Sequence, residues 1–364
     1  MSSSSFDPEN VNLKDADARD IVCYLNAGGN EYDGRMGARI SALFVILIVS
    51  TATTFFPVLA TRIRRLRIPL YVYLFARYFG AGVIIATAFI HLLDPAYNEI
   101  GPASCVGMTG GWAEYSWPPA LALTSAMLVF LLDFGADYYV TIKYGTNEVD
   151  LENTVVTGEE HHGHPVNQEA YKPQAPKSDG TSFEDIEELK NLDSDSEQAL
   201  LSFKQQIAAF LILEFGVLFH SVIIGLNLGV VGDEFSTLYP VLVFHQSFEG
   251  LGIGARLSVI PFPRRLRWMP WALCLAYGLT TPISIAIGLG LRTTYDSGSF
   301  TANAVSGVLD SISAGILIYT GFVEMLARDF IYNPQRTTDK KRLLFMLVSL
   351  YLGTAIMALL GKWA

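Results

Sequence analysis

Two histidines lie in the middle of consecutive membrane-length apolar stretches, in the segments HSVIIGLNLG (220–229) and HQSFEGLGIG (245–254). Superimposed, the segments share His, Gly, Leu and Gly at the same offsets, and the second adds Glu249 one helical turn after its histidine. An ionisable group at the centre of a bilayer costs about 2.5 kcal/mol or more on insertion scales, so such groups mark ion paths or functional sites. Imidazole nitrogen and carboxylate oxygen suit zinc and its first-row neighbours, whereas magnesium and calcium prefer all-oxygen surroundings. His245 and Glu249 are four apart and project from one helix face. His220 from the neighbouring helix supplies a third ligand, and His91 or a water a fourth, which is the usual zinc coordination number. Three protein ligands with an open position let the ion leave again. The pattern points to a metal crossing a membrane.

The elements that must position these residues are visible in the composition. Of 364 residues, 51% are hydrophobic and only 16% charged. The apolar residues fall into eight blocks, over 40–60, 70–93, 119–142, 206–231, 238–260, 269–291, 302–326 and 343–360. Each has about the 20 residues that cross a hydrocarbon core. The fold class is therefore an all-α polytopic membrane protein of eight transmembrane helices. Short cytoplasmic loops collect Lys and Arg. The first connection holds Arg62, Arg64, Arg65 and Arg67, the fifth Arg264, Arg265 and Arg267, and the seventh Arg336, Lys340, Lys341 and Arg342, whereas the second and fourth hold none. Odd connections are expected inside and both termini outside.

Almost all of the net charge of −10 arises in one polar stretch, so charge implies no nucleic-acid partner. That stretch buries too little apolar surface to offset its ordering entropy. The chain is expected to divide into an extracellular tail (1–39), spans one to three (40–142), a disordered acidic cytoplasmic loop (143–205) with a short helix near 183–201, and spans four to eight (206–364). The loop motif EEHHGHP (159–165) puts His161, His162 and His164 beside two carboxylates, a short tract that binds metal with modest specificity or is simply solvated. The amino terminus lacks the basic flank and apolar core of a cleavable signal, so the first span is expected to insert uncleaved. Cys23 and Cys105 both fall outside, where oxidation can join them, and Cys274 reads as packing within span six.

A second pair of segments also matches. AGVIIATAFIHLL (81–93) aligns with AGILIYTGFVEML (314–326), setting His91 opposite Glu324. The paired spans two and seven, like four and five, run in opposite directions. An inverted repeat has this property, and transporters place their sites at the interface of such repeats. Spans one to three and six to eight then flank the central pair. From outside to inside the expected order is Asp94 with His91, then His245, then Glu249 level with His220, then Glu324. Asp94 is taken to share a side with His91, three residues away. Glu324 has a competing use as an ion-pair partner of Arg328. Asp133, Asp137 and Glu214 read as polar packing with Arg77 as counter-ion. Gly225 with Gly229, and Gly250 with Gly254, have the four-residue spacing that lets helices approach closely. Pro282 is expected to kink span six and free a backbone carbonyl.

The eight blocks, the histidine-containing loop after the third and the two histidine motifs resemble the ZIP metal transporters, nearest to their fungal plasma-membrane zinc uptake branch, from about Gly34 to the terminal GKWA. The resemblance implies that His220, His245 and Glu249 are transport-site ligands, that His91 is the contribution of span two, and that Glu324 belongs to an inner release route. It also implies flow toward the cytoplasm by rocking of one helix bundle against another. Some members carry a Glu four residues after the span-four histidine, with Asn and Asp beside the two histidines, and hold two metals. Here those positions are Ile224, Ser221 and Gln246, so one strong position is expected, with Ser221 and Gln246 offering neutral oxygens.

No cofactor is expected: the metal is cargo, Zn2+ first, with Fe2+, Mn2+ or Cd2+ as alternatives. The other partner is the lipid bilayer, and any self-assembly is expected to be a homodimer. The competing classes are an intramembrane zinc hydrolase, in which a bound metal activates water, and a sensor that binds without transport. No HExxH is present, and the symmetry has no use in hydrolysis.

Overall fold

The computed structural model describes residues 9–12, 16–26, 32–63, 68–144, 183–294, 296–332 and 337–363, with residues 137, 140, 141, 143, 144 and 183–202 as backbone only. Among them, apart from two single-turn 3-10 helices, are nine helices and no strand: α1 Ala18–Asn26, α2 Met36–Arg62, α3 Leu70–Ile100, α4 Trp117–Tyr144, α5 Phe183–Val230, α6 Phe235–Val259, α7 Met269–Leu291, α8 Phe300–Tyr332 and α9 Lys340–Leu360. Seven of these, α2 to α5 and α7 to α9, are long and apolar enough to cross a membrane. The chain is thus an all-helical, polytopic membrane protein. Helix α6 has the length, at 25 residues, but is not among the seven; it carries His245, Gln246, Glu249 and Arg256. Two compact units divide the chain, one of 1–133 with 206–364 and the other Phe134–Gln205.

The helices differ from expectation mainly at their ends. Helix α3 runs on to Ile100, into what reads as a loop, and a π-helical stretch Thr87–Leu93 interrupts it. Helix α8 turns π-helical over Thr320–Tyr332. In place of a separate short helix over 183–201 there is one continuous helix, Phe183–Val230. His161, His162 and His164 lie outside the described residues.

Packing sorts the membrane helices of the larger unit into two groups of four. In the first, α2 lies against α6 and α7. Helix α5 joins through Gly225, where an added Cβ would sit 2.7 Å from Ser284 Cβ, and Gly229, 2.9 Å from Gly288. One apolar cluster draws on all four helices, with Ala42 and Ile46, Leu228, Phe235 and Leu242, and Ile285 and Leu289. In the second group α9 packs on α3 and α8 on the C-terminal half of α3. Gly82 there meets the Leu350 carbonyl, and Gly315 brings α4 to α8 at the Ala122 carbonyl. Lipid is as apolar as leucine, so close backbone approach at small residues, rather than water exclusion, selects which helices pair. The groups meet where α3 crosses α6, with Gly80 against Gly252. Leu123, Leu128 and Leu131 on α4 are exposed, as a lipid-facing surface requires.

Pro282 cannot donate to the carbonyl four residues before it. That carbonyl, Gly278 O, instead accepts from Ser50 Oγ of α2 at 3.3 Å, so the freed group becomes an interhelical bond. Arg39, wholly buried, performs a similar service at the end of α5. Its guanidinium donates to Leu228 O at 3.0 Å and to Val231 O, and to Asp33 at 2.7 Å, and lies 4.6 Å over the Phe235 ring. The last carbonyls of a helix lack intrahelical donors and carry its negative dipole end, so a cation there satisfies both. Gly34 at φ 93° and Arg35 at φ 45° make the tight turn that delivers the chain into α2. Cys23 of α1 and Cys105 form a disulfide, S–S 1.96 Å, tying the amino-terminal segment to the connection after α3.

Candidate metal site

His220 on α5, His245 and Glu249 on α6 and His91 on α3 all reach the crossing of the two groups, and all are buried. His245 is the hub. Its ring centroid lies 4.9 Å from that of His91 and 5.4 Å from that of His220. Its Nε2 is 3.6 Å from Glu249 Oε2, as a spacing of four residues on one helix face allows. Every histidine predicted within the described membrane spans is therefore at one place.

The polar atoms there are largely without partners. His220 Nδ1 and Nε2, His245 Nε2, Glu249 Oε1, Ser221 Oγ and Gln246 Nε2 are buried and make no hydrogen bond. Burying such atoms unpaired costs free energy, which a bound cation would remove. His91 is oriented differently: its Nε2 lies 3.3 Å from the Met357 carbonyl, which can only accept. The proton thus resides on Nε2, leaving the Nδ1 lone pair for a metal. Among the described residues, no three His, Cys, Asp or Glu side chains close on a single point that could hold an ion. The site is a row of ligand pairs rather than a finished cage.

Two residues of the site escaped the sequence reading. The Tyr277 hydroxyl on α7 lies 2.9 Å from Gln246 Oε1 and 3.2 Å from Glu249 Oε2. Asp310 on α8, also buried, has Oδ1 3.9 Å from His220 Nδ1. A carboxylate within the apolar block 302–326 was the available signal for Asp310. Tyr277 offered none, because a tyrosine in an apolar helix has ordinary packing uses.

Asp94, three residues after the buried His91, is exposed just beyond the end of the π-helical stretch. One expectation is corrected. Arg77 does not serve Asp133 or Glu214: it donates to both oxygens of Asp329, at 2.8 and 2.7 Å. Asp133 accepts from the Tyr319 hydroxyl at 2.9 Å, and both Glu214 oxygens are buried without a partner. Glu324 does pair with Arg328, at 2.6 Å, and faces Arg256 of α6 at 3.6 Å.

The family model described as ZIP Zinc transporter matches residues 36–361. Zinc-regulated transporter 1 of Saccharomyces cerevisiae is 57% identical over 99% of this chain and 97% of its own length. Zinc-regulated transporter 1 of Schizosaccharomyces pombe is 40% identical over 97% of this chain and 92% of its own. Zinc transporter 9 of rice, Oryza sativa, is 31% identical over 96% and 95%.

Proposed function

This chain belongs to the ZIP zinc transporter family, and on that premise we propose that it carries zinc into the cytoplasm by way of His220, His245, Glu249 and His91. The observation that carries the assignment of residues is the contact of His245 with both His91 and His220, beside a buried Glu249. The family is one of transporters rather than enzymes, so the hydrolase reading falls away. A site built as ligand pairs rather than a four-ligand cage would hold zinc less tightly than a structural centre, which release requires.

The eighth span is α6, made polar by the site it carries. An inverted repeat is supported by correspondences between the aligned segments. Thr87 and Thr320 take equivalent positions in them, and each begins a π-helical stretch. Gly225 of α5 meets α7 while Gly250 of α6 meets Thr53 and Thr54 of α2. Gly82 of α3 meets α9 while Gly315 of α8 meets α4. These are the contacts that exchange of spans one with six, two with seven, three with eight and four with five would produce. The site then lies between two groups of helices that rock against each other, in a plasma membrane, with both termini outside. Glu324, held by Arg256 and Arg328, stands on the release side; Ser221 and Gln246 offer neutral oxygens beside the histidines. Zinc-65 uptake by cells expressing His220→Ala or Glu249→Ala at normal surface levels is expected to collapse. Wild-type rates in both variants would refute the assignment, and competition by iron, manganese or cadmium measures its selectivity.

A further inference from the structure

Among the described residues, two close histidine–carboxylate pairs have the same character. His245 Nε2 to Glu249 Oε2 is 3.6 Å, and His220 Nδ1 to Asp310 Oδ1 is 3.9 Å. Both gaps exceed a hydrogen bond, which ends near 3.2 Å for N–H···O. Two ligands about 2.1 Å from one zinc ion lie about 3.4 Å apart at the tetrahedral angle and slightly further apart when the angle opens. The facing atoms of the second pair, Nδ1 of His220 and Oδ1 of Asp310, are buried and make no hydrogen bond, so neither is committed elsewhere.

We propose that His220 and Asp310 form a second position for a divalent first-row cation, distinct from His245–Glu249, where the ion rests before or after His245. It rests on the reading of His220, His245 and Glu249 as the transport site, but adds a ligand from α8 that this reading does not contain. The position spans the two helix groups, since His220 lies on α5 and Asp310 on α8. It also continues outward along α3 and α8. Gly307, one turn before Asp310 on the same face, comes so close to α3 that its added Cβ would lie 3.1 Å from Glu99 Cβ. Glu99 Oε2 is itself buried without a partner. Carboxylates thus line the approach to His220 from the end of the helices that holds Ile100 and Phe300. Water completes the coordination, as for an ion that must move on.

The test is equilibrium binding of zinc-65 to the purified full-length protein and its variants, read as ions bound per chain at saturation. Any zinc held by the loop histidines is common to all variants and cancels in the differences. Asp310→Asn, which keeps shape and removes charge, is expected to lose one ion relative to wild type; Glu249→Ala is expected to lose one, and Asp310→Cys to retain it with competition shifted toward cadmium, a preference of thiolate. A merely structural aspartate would give no cadmium shift. Loss of no ion in Asp310→Asn, or of both, overturns the second position while a Glu249→Ala deficit leaves the transport site standing. Full binding in Glu249→Ala and His220→Ala as well would overturn the transport-site reading itself.

Discussion

Helices α5 and α6 carry matched segments, yet their histidines are supported in opposite ways. His245 has its carboxylate on its own helix, and that carboxylate is reached by Tyr277 of α7 in the same four-helix group. His220 has its carboxylate, Asp310, on α8 in the other group. If the groups rock as proposed, that motion would leave the Glu249 side intact and open the Asp310 side. On the proposed reading, holding and exchanging an ion would be divided between two halves of one sequence motif.

The comparison can be broken most directly at its firm half. Glu249→Ala is expected to lower zinc uptake by about 100-fold or more, since even groups behind metal ligands are worth 10–100-fold. His220→Ala, with an exchangeable partner, is expected to cost less; the reverse ranking in zinc-65 uptake would contradict the division. Next comes Tyr277→Phe, which removes only the hydroxyl. It is expected to raise the KM for zinc by about 10-fold, as loss of a group that orients a ligand does. An unchanged KM would show that Glu249 needs no such support.

The frame beneath α6 gives a smaller effect. At Gly254 an added Cβ would lie 2.2 Å from the Thr54 carbonyl oxygen. Gly254→Ala is expected to destabilise the protein by about 1–3 kcal/mol through overpacking. Gly290→Ala, with nothing within 4 Å, is the control and should be neutral or slightly stabilising in thermal melts. The smallest effect belongs to the frame of α5. The Asp33 carboxyl is held below its usual range, first by its hydrogen bond to Arg39, which anchors the end of α5. A depressed carboxylate adds stability above its unfolded pKa, near 3.9, and loses it as pH falls through the folded value. Melting temperatures at about pH 6 and pH 3 should therefore differ less in Asp33→Asn than in the wild-type protein.

Much of the site was legible because it is local or aligned. His245 and Glu249 are a helical turn apart, and His220 and His91 stand out as polar groups in apolar runs. The π-helical stretches were not legible, since nothing in AGVIIATAFIHLL or AGILIYTGFVEML announces the wider turn. Arg39 was invisible for another reason. It looked like a flanking charge before the first span, yet it is wholly buried against carbonyls almost two hundred residues away.

The amino-acid sequence by itself determined that this is a helical membrane protein with imidazole and carboxylate at mid-span, because transfer energy and helical period are read within about twenty residues. Only the tertiary structure decided which carboxylate each histidine faces, that Tyr277 reaches Glu249 and that Arg77 is taken by Asp329. Those pairings depend on which helices approach, and in lipid that is set by small residues meeting across the bundle rather than by any signal along one helix.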